Sequence, residues 1–215
     1  MIRIFDVDHT LIKSSSMRHF AREALGRGIA RAWDLRGLAG EWIKYKLGRP
    51  DFDFVEKAVG ILAGAQKDAL EKAARAAFER GISRDVYPEA ERAIREALDS
   101  GERVIFATSS LGIAIRPLEE FFGIEGSLAC ELEFQGGAAT GRLLGPSPFG
   151  PKKKAVVKEW MEKNGISPAE TCFYSDSYVD IPLLEFCGKA VAVNPDSRLR
   201  REAKRRGWEI LRFRA

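Results

Sequence analysis

The pattern of apolar and polar positions predicts short buried strands separated by helices. Five runs are apolar and β-branched and are bounded by turn residues; they cover residues 2–5, 103–107, 171–174, 190–193 and 209–213. Strands that alternate with helices are typical of a parallel sheet. The sequence therefore predicts an α/β fold in which helices flank a Rossmann-like parallel sheet.

Helical periodicity is clearest between residues 88 and 100, where Pro88 suits the first turn and Gly101 ends the apolar face. A second helix is predicted over residues 152–164. Between residues 128 and 144 the pattern changes to two short strands around a Gln-Gly-Gly turn, which predicts a β-hairpin.

Residues 14–85 contain helical patterns, clearest over residues 68–80, and no convincing strand. We expect a helical insertion after the first strand, so that residues 1–13 and 86–215 form the α/β core. The basic run at residues 198–206 is predicted to be a solvated helix face and not a nucleic-acid patch.

Composition restricts the partners and the cell compartment. The chain has 215 residues and a net charge of +4, which is too mild to indicate nucleic acid and would suit an anionic small molecule. Its three cysteines, Cys130, Cys172 and Cys187, are far apart and odd in number, which favours the reducing cytoplasm. No signal peptide is visible, and no apolar run approaches the roughly 18 residues of a membrane span. The oligomeric state is left open.

Polar side chains follow the predicted strands or begin a helix, at the places where ligands gather in an open parallel sheet. They are Asp6, Asp8 and Thr10 after the first strand, Thr108, Ser109 and Ser110 after the second, Lys152, Lys153 and Lys154 at a helix start, and Asp176 and Asp180 after a later strand. Each group alone has a plainer explanation as a turn or a solvated surface. Together, and in this order, they indicate one site.

The residue types in this site indicate phosphoryl chemistry that depends on Mg²⁺. Asp6 and Asp8 would repel each other unless positive charge lay between them, and with Asp176 they supply the oxygen ligands that Mg²⁺ takes. The hydroxyl and amides near Thr108, with a lysine, can hold phosphoryl oxygens. A carboxylate close to metal and phosphorus can act as a nucleophile and form an aspartyl-phosphate.

Four segments of the chain read FDVDHTL, VIFATSS, GPKKKAVVKEW and YSDSYVDIPLLE. They resemble the motifs of haloacid-dehalogenase-superfamily phosphatases, in the branch close to phosphoserine phosphatases (subfamily IB), and the similarity extends over nearly the whole length. The resemblance implies that Asp6 is the nucleophile. It also implies that Asp8 first protonates the leaving oxygen and then activates water.

The same resemblance implies the phosphate-binding residues. Thr108, with Ser109, would bind the phosphoryl oxygens. The family's lysine lies seven residues before a helix tryptophan, here Trp160, and this spacing selects Lys153. Helical geometry agrees, and Lys152 is the alternative.

The resemblance also implies the metal site and the role of the insertion. Asp176 would complete a Mg²⁺ site with Asp6 and the backbone carbonyl of Asp8, and Asp180 would hold the lysine or metal waters. Residues 14–85 would be the family's helical cap, which closes over the site and excludes competing water.

One position departs from the phosphoserine phosphatases. They place a glutamate nine residues after the nucleophile to recognise the substrate amine, and here that position is Ser15. We therefore expect phosphoserine to be a poor substrate, unless another cap acid such as Glu23 or Asp34 supplies the charge.

Other unusual residues allow two interpretations each. His9 is a neutral turn residue or a group that tunes the Asp8 proton. Trp33, Trp42 and Tyr45 belong to a packed helix, or they contact a larger apolar or cationic leaving group or a lipid surface.

The leading hypothesis is a Mg²⁺-dependent phosphomonoester hydrolase that acts on a small phosphorylated metabolite through an aspartyl-phosphate. One alternative is a phosphotransferase whose acceptor is not water. Another is a non-catalytic, phosphate-binding regulatory protein, although a protein that only binds phosphate would not need Asp8.

Overall fold

The computed structural model describes residues 1–30, 51 and 53–214 of the chain. The strands are β1 (Ile2–Phe5), β2 (Arg103–Leu111), β3 (Ser127–Cys130), β4 (Leu132–Gln135), β5 (Ala138–Leu143), β6 (Thr171–Ser175), β7 (Lys189–Val193) and β8 (Glu209–Leu211). Six of them form one sheet in the order β3-β2-β1-β6-β7-β8, in which every pair of neighbours is parallel. The predicted α/β fold is confirmed.

Helices connect these strands. The described α-helices are α1 (Ser16–Gly26), α2 (Phe54–Ala58), α3 (Lys67–Ala77), α4 (Ser83–Asp85), α5 (Pro88–Asp99), α6 (Gly112–Phe122), α7 (Pro151–Lys163), α8 (Ile181–Leu184) and α9 (Ser197–Arg206). The predicted helices over residues 88–100 and 152–164 are present with slightly different ends. The one predicted over residues 68–80 changes to a π-helical turn at Phe78–Ile82.

The predicted hairpin is present as the antiparallel pair β4–β5, but the residues before it were assigned wrongly. Residues 128–130 belong to β3, an edge strand of the main sheet that pairs with β2. The sequence signal was weak because β3 contains no β-branched residue and only Cys130 among its residues is buried.

The position of β1 in the sheet determines where the site lies. β1 lies between β2 and β6, with Ile4 opposite both Ile105 and Phe173. The carboxyl ends of these neighbouring parallel strands therefore meet at one edge of the sheet. The residues that follow β1 and β6 are brought together there, next to the last residues of β2.

The insertion is helical, as predicted, wherever the structure describes it: each element between residues 14 and 85 is a helix or helical turn. Phe20 and Leu70 belong to the same buried apolar cluster as Phe5 and Phe106 of the sheet. The described helices of the insertion therefore pack onto the sheet's own core. The division into a core and a cap domain remains a prediction.

Two backbone hydrogen bonds join the segments that lead into and out of the insertion. Lys13 N donates to Asp85 O at 2.8 Å, and Tyr87 N donates to Leu11 O at 2.9 Å. The insertion thus leaves and re-enters the sheet at one place, next to the end of β1.

Some sequence predictions fall outside the described residues. Trp33, Asp34, Trp42 and Tyr45 lie in the stretch that the structure does not describe. Within the described ranges, none of the helices is long and apolar enough to cross a membrane.

Truncation of Leu70 tests whether the insertion shares the core of the sheet. Leu70 is fully buried, so we expect Leu70→Ala to lower the free energy of unfolding by about 2–5 kcal/mol. Leu144→Ala is the control, because Leu144 is 69% exposed and its truncation should change stability by less than about 0.5 kcal/mol.

Urea unfolding followed by tryptophan fluorescence measures both variants. We expect a single transition whose midpoint moves in Leu70→Ala. Two separate transitions, with only one of them shifted, would show that the insertion has an independent core.

Candidate active site

An open cleft of about 580 Å³ lies where β1, β2 and β6 end. Its lining includes the residues for which the sequence predicted a chemical role: Asp6, Asp8, Thr108, Ser109, Lys153, Asp176 and Asp180. The fold therefore brings them together from distant parts of the chain. Their individual roles remain predictions.

A buried ammonium group joins two of these carboxylates. Lys153 Nζ donates to Asp6 Oδ1 at 2.8 Å and to Asp180 Oδ2 at 2.7 Å. Ser175 Oγ, at the end of β6, also donates to Asp180 Oδ2 at 2.7 Å. Lys153 is 3% exposed and Asp180 is 1% exposed, so little water screens this cluster.

Burial and charge act against each other in this cluster. Burial raises the pKa of Asp6 to about 7, although the attraction of Lys153 opposes the change and the charge of Asp180 adds to it. Burial by itself lowers the pKa of Lys153, but the charges of Asp180 and Asp6 outweigh it and raise the pKa overall. Lys153 is therefore a permanent cation in this site.

Asp176 adds a further negative charge beside Asp6. Its Oδ1 accepts a hydrogen bond of 3.3 Å from Thr10 Oγ1. Burial, followed by the charges of Asp6 and Asp180, raises the pKa of Asp176 well above its ordinary value. Lys153 alone therefore cannot balance the charge of Asp6, Asp176 and Asp180 when all three are ionised.

The carboxylate of Asp8 is held by three donors. Ser16 N donates to its Oδ1 at 2.8 Å, while Ser15 Oγ and Ser110 Oγ donate to its Oδ2 at 3.1 Å and 3.2 Å. Ser16 begins α1, so Asp8 also accepts from one of the backbone N–H groups that a helix leaves without an internal partner. These contacts of Ser15, Ser16 and Ser110 were not predicted from the sequence.

Thr108 and Ser109 form the cleft wall on the β2 side. Thr108 is 1% exposed, and its Oγ1 accepts a hydrogen bond of 3.2 Å from Ser110 N. Although both residues were predicted to follow the second strand, they lie within β2, which continues to Leu111. A hydroxyl and the adjacent backbone therefore face the carboxylate cluster from a rigid element.

The three consecutive lysines have three different surroundings. Lys153 contacts Asp6, as described above. Lys152 points to the insertion, where its Nζ donates to Asp53 Oδ1 at 2.6 Å and to Glu56 Oε1 at 2.9 Å. Lys154 Nζ lies 5.3 Å from the ring centroid of Phe186. The alternative assignment of Lys152 therefore does not agree with its contacts.

His9 has the geometry of a turn residue. Its φ of 62° is left-handed, and its Nδ1 lies 3.3 Å from the carbonyl oxygen of Lys13. The ring lines the cleft, but its recorded hydrogen bond is to this backbone oxygen and not to Asp8. These contacts favour the turn role over the tuning role.

Sequence reasoning missed several residues of the cleft wall. Phe149, Tyr178, Asp196 and Arg198 also line the cleft. Asp196 follows β7 and begins α9, so a search of every strand end for polar residues would have found it. Phe149 and Tyr178 had no comparable signal in the sequence pattern.

The donor set fits a divalent cation. Asp180 Oδ1 is buried and has no hydrogen-bond partner among the described residues, and Asp6, Asp176 and Asp180 share the cleft with one buried cation, Lys153. Within the described part of the chain, no three His, Cys, Asp or Glu side chains form a complete metal cluster. Mg²⁺ does not require one, because it is commonly bound through one or two carboxylates, with waters and substrate phosphate completing the site.

Comparison with known proteins agrees with the chemistry of the cleft. The family model of haloacid dehalogenase-like hydrolases matches residues 4–185. Phosphoserine phosphatase SerB1 of Mycobacterium tuberculosis is 32% identical over 215 residues, which cover 98% of this chain and 70% of that protein. Histidinol-phosphatase of Neisseria meningitidis serogroup C is 29% identical over 218 residues, which cover 99% and 98% respectively.

A solved structure shows the same fold. The crystal structure of a protein with unknown function from Bordetella pertussis Tohama I superposes with a TM-score of 0.85 at 28% identity. The superposition covers 98% of this chain and 97% of that one. The family expected from the four sequence motifs is thus confirmed.

The three lysines provide a matched series for stability measurements. Lys153→Met leaves buried carboxylates without their cation, so we expect it to lower the free energy of unfolding by about 3–5 kcal/mol. Lys152→Met removes partly exposed ion pairs and should cost about 1 kcal/mol. Lys154→Met removes a contact with an aromatic ring and should cost about 0.5 kcal/mol.

Urea unfolding in buffer with a metal chelator measures the series without a contribution from bound cations. Equal losses in the three variants would contradict the different surroundings described for these lysines.

Proposed function

The chain belongs to the haloacid dehalogenase-like hydrolases and is a phosphatase of that family, and we propose that it hydrolyses small phosphomonoesters through a phosphorylated Asp6. The observation that carries this proposal is the buried contact between Lys153, Asp6 and Asp180 in the cleft that Asp8 also lines. It places a cation, a candidate nucleophile and a separate carboxyl group in one site.

The first half of the proposed reaction uses Asp6 and Asp8 together. A carboxylate oxygen of Asp6 forms a bond to phosphorus as the bond from phosphorus to the ester oxygen breaks. The carboxyl group of Asp8 donates its proton to the departing oxygen. Lys153 orients Asp6 through the 2.8 Å hydrogen bond and offsets negative charge.

The second half releases phosphate. Asp8, now a carboxylate, accepts a proton from water, and the water oxygen attacks the phosphorus of the acylphosphate. The phosphorus–Asp6 bond breaks, and the Asp6 carboxylate and inorganic phosphate are formed. Ser15, Ser16 and Ser110 orient Asp8 in both steps by their hydrogen bonds to its side-chain oxygens.

Thr108 and Ser109 bind the phosphoryl oxygens in this proposal. The support is their position in the cleft wall at the end of β2 and the burial of the Thr108 hydroxyl. Asp180 acts through Lys153, because it accepts a hydrogen bond of 2.7 Å from the same ammonium group that contacts Asp6.

We assign the metal site to the carboxylates of Asp6 and Asp176 and the backbone carbonyl of Asp8. A bound Mg²⁺ would supply positive charge that neutralises phosphate and carboxylates. The unpartnered Asp180 Oδ1 and the gathering of three carboxyl groups beside one buried cation support this assignment.

The similarity to relatives supports the reaction and leaves the substrate open. One relative is named for phosphoserine and another for histidinol phosphate, at 32% and 29% identity. At position 15 this chain offers a hydroxyl that donates to Asp8, so no carboxylate from this residue meets a substrate amine. We therefore propose that phosphoserine is not the preferred substrate.

Two further features enter the proposal. The buried cysteines Cys130, Cys172 and Cys187 are all free, which supports a cytoplasmic location.

The hydrogen-bonded Asp8 favours an enzyme over a phosphate-binding regulator, because binding alone needs no proton donor. Addition of methanol to the assay tests whether the phosphoryl group is transferred to an alcohol. The release of inorganic phosphate is then compared with the release of the substrate's own alcohol.

Replacement of Asp6 tests the nucleophile. We expect the protein to release phosphate from p-nitrophenyl phosphate and Asp6→Asn to be slower by at least about a thousandfold, because an amide cannot form the acylphosphate. Asp99→Asn, an exposed change at the end of α5, is the control and should retain full activity. Thermal unfolding verifies that each variant is folded. Full activity of Asp6→Asn would contradict the mechanism.

Metal removal tests the cation site. We expect excess chelator to abolish phosphate release, Mg²⁺ to restore it, and Ca²⁺ to substitute poorly because its coordination is larger and looser. Mg²⁺ should also raise the midpoint of thermal unfolding in the wild-type protein and less so in Asp176→Asn. Undiminished rates in chelator would refute the metal assignment.

A further inference from the structure

A second cation lines the cleft outside the carboxylate cluster. Of the described residues that line it, two carry a positive charge at neutral pH, Lys153 and Arg198. Lys153 is buried and bonded to Asp6 and Asp180, so its charge is already engaged. Arg198 also lines the cleft and is exposed.

The first turn of α9 fixes the backbone at Arg198. Asp196 Oδ1 accepts from Arg198 N at 2.8 Å and from Leu199 N at 2.9 Å, and its Oδ2 accepts from Tyr178 N at 2.7 Å. Both oxygens of the Asp196 carboxylate are therefore occupied by backbone N–H groups. The residue is a helix cap and not the ion-pair partner of Arg198.

The guanidinium group of Arg198 rests on an aromatic ring. Its Cζ lies 4.6 Å from the ring centroid of Tyr178, which also lines the cleft. Among the described residues, this guanidinium has no carboxylate within ion-pair distance, whereas Arg205 and Arg206 of the same helix pair with Glu202. Stacking covers one face of the planar group and leaves its N–H edge available.

We propose that Arg198 determines specificity by binding a second anionic group of the substrate. The inference rests on the proposed function and names its substrate class: phosphomonoesters whose leaving group carries a carboxylate or another phosphate. A guanidinium matches both groups, because its N–H donors fit two oxygens at once. Ser15 supplies no carboxylate, so an added ammonium group on the same substrate gains nothing from that position.

The test compares substrates that differ in one group. Propyl phosphate, 3-phosphooxypropanoate and propane-1,3-diol bisphosphate share a three-carbon chain and end in a methyl group, a carboxylate and a phosphate. We expect kcat/KM of the wild-type protein to be about tenfold to a hundredfold higher for at least one anionic ester than for propyl phosphate. The two anionic esters show which group the site prefers.

Variants identify the residue responsible. In Arg198→Gln the ratio of kcat/KM between the preferred anionic ester and propyl phosphate should collapse towards one, mainly through a higher KM. Arg198→Lys should keep part of the preference, because lysine retains the positive charge. It should not keep all of it, because lysine lacks the planar guanidinium group with its paired N–H donors. Arg201→Gln is the matched control on the same helix; Arg201 is exposed, does not line the cleft, and should keep the wild-type ratio.

O-phosphoserine completes the comparison, because it is 3-phosphooxypropanoate with an ammonium group on the chain. We expect it to be no better than its parent acid. A preference of tenfold or more for O-phosphoserine over 3-phosphooxypropanoate would contradict the argument from Ser15 that an added ammonium group gains nothing in this site.

The outcomes separate this inference from the function on which it rests. Hydrolysis of p-nitrophenyl phosphate without any preference for anionic esters would overturn the role of Arg198 and leave the phosphatase intact. A preference that survives in Arg198→Gln would overturn it as well. Failure of the wild-type protein to hydrolyse any ester would contradict the proposed function itself.

Discussion

One buried cation holds the candidate active site together. Lys153 reaches from α7 to Asp6 after β1 and to Asp180 after β6. Without its ammonium group, several carboxylates would be enclosed together with no compensating charge, which is strongly unfavourable. The parallel sheet brings these residues to one edge, and the ion cluster makes that arrangement stable.

The fold and much of the site could be predicted because both leave local signals. Buried strands are visible as apolar runs, and Asp6, Asp8, Asp176 and Asp180 follow such runs at recognisable spacings. Lys153 was distinguished from Lys152 by its distance from Trp160, and the observed contacts agree with that choice.

Other features have no local signal. β3 is a partly exposed edge strand without a β-branched residue, and its place depends on pairing with β2. The contact of Ser110 with Asp8 and the place of Arg198 in the cleft depend on how distant segments meet. Such tertiary contacts cannot be read from periodicity, because the residues involved also suit ordinary turns and helix faces.

The contact between Asp8 and Ser16 N has a thermodynamic consequence. The carboxylate accepts from the first turn of α1, which is the first helix of the insertion. Movement of α1 away from the sheet would break this contact and release the carboxylate, and displacement of the carboxylate would remove a hydrogen-bond acceptor from the helix N-terminus. The position of Asp8 and the packing of α1 are therefore coupled, and by reciprocity each shifts the equilibrium of the other.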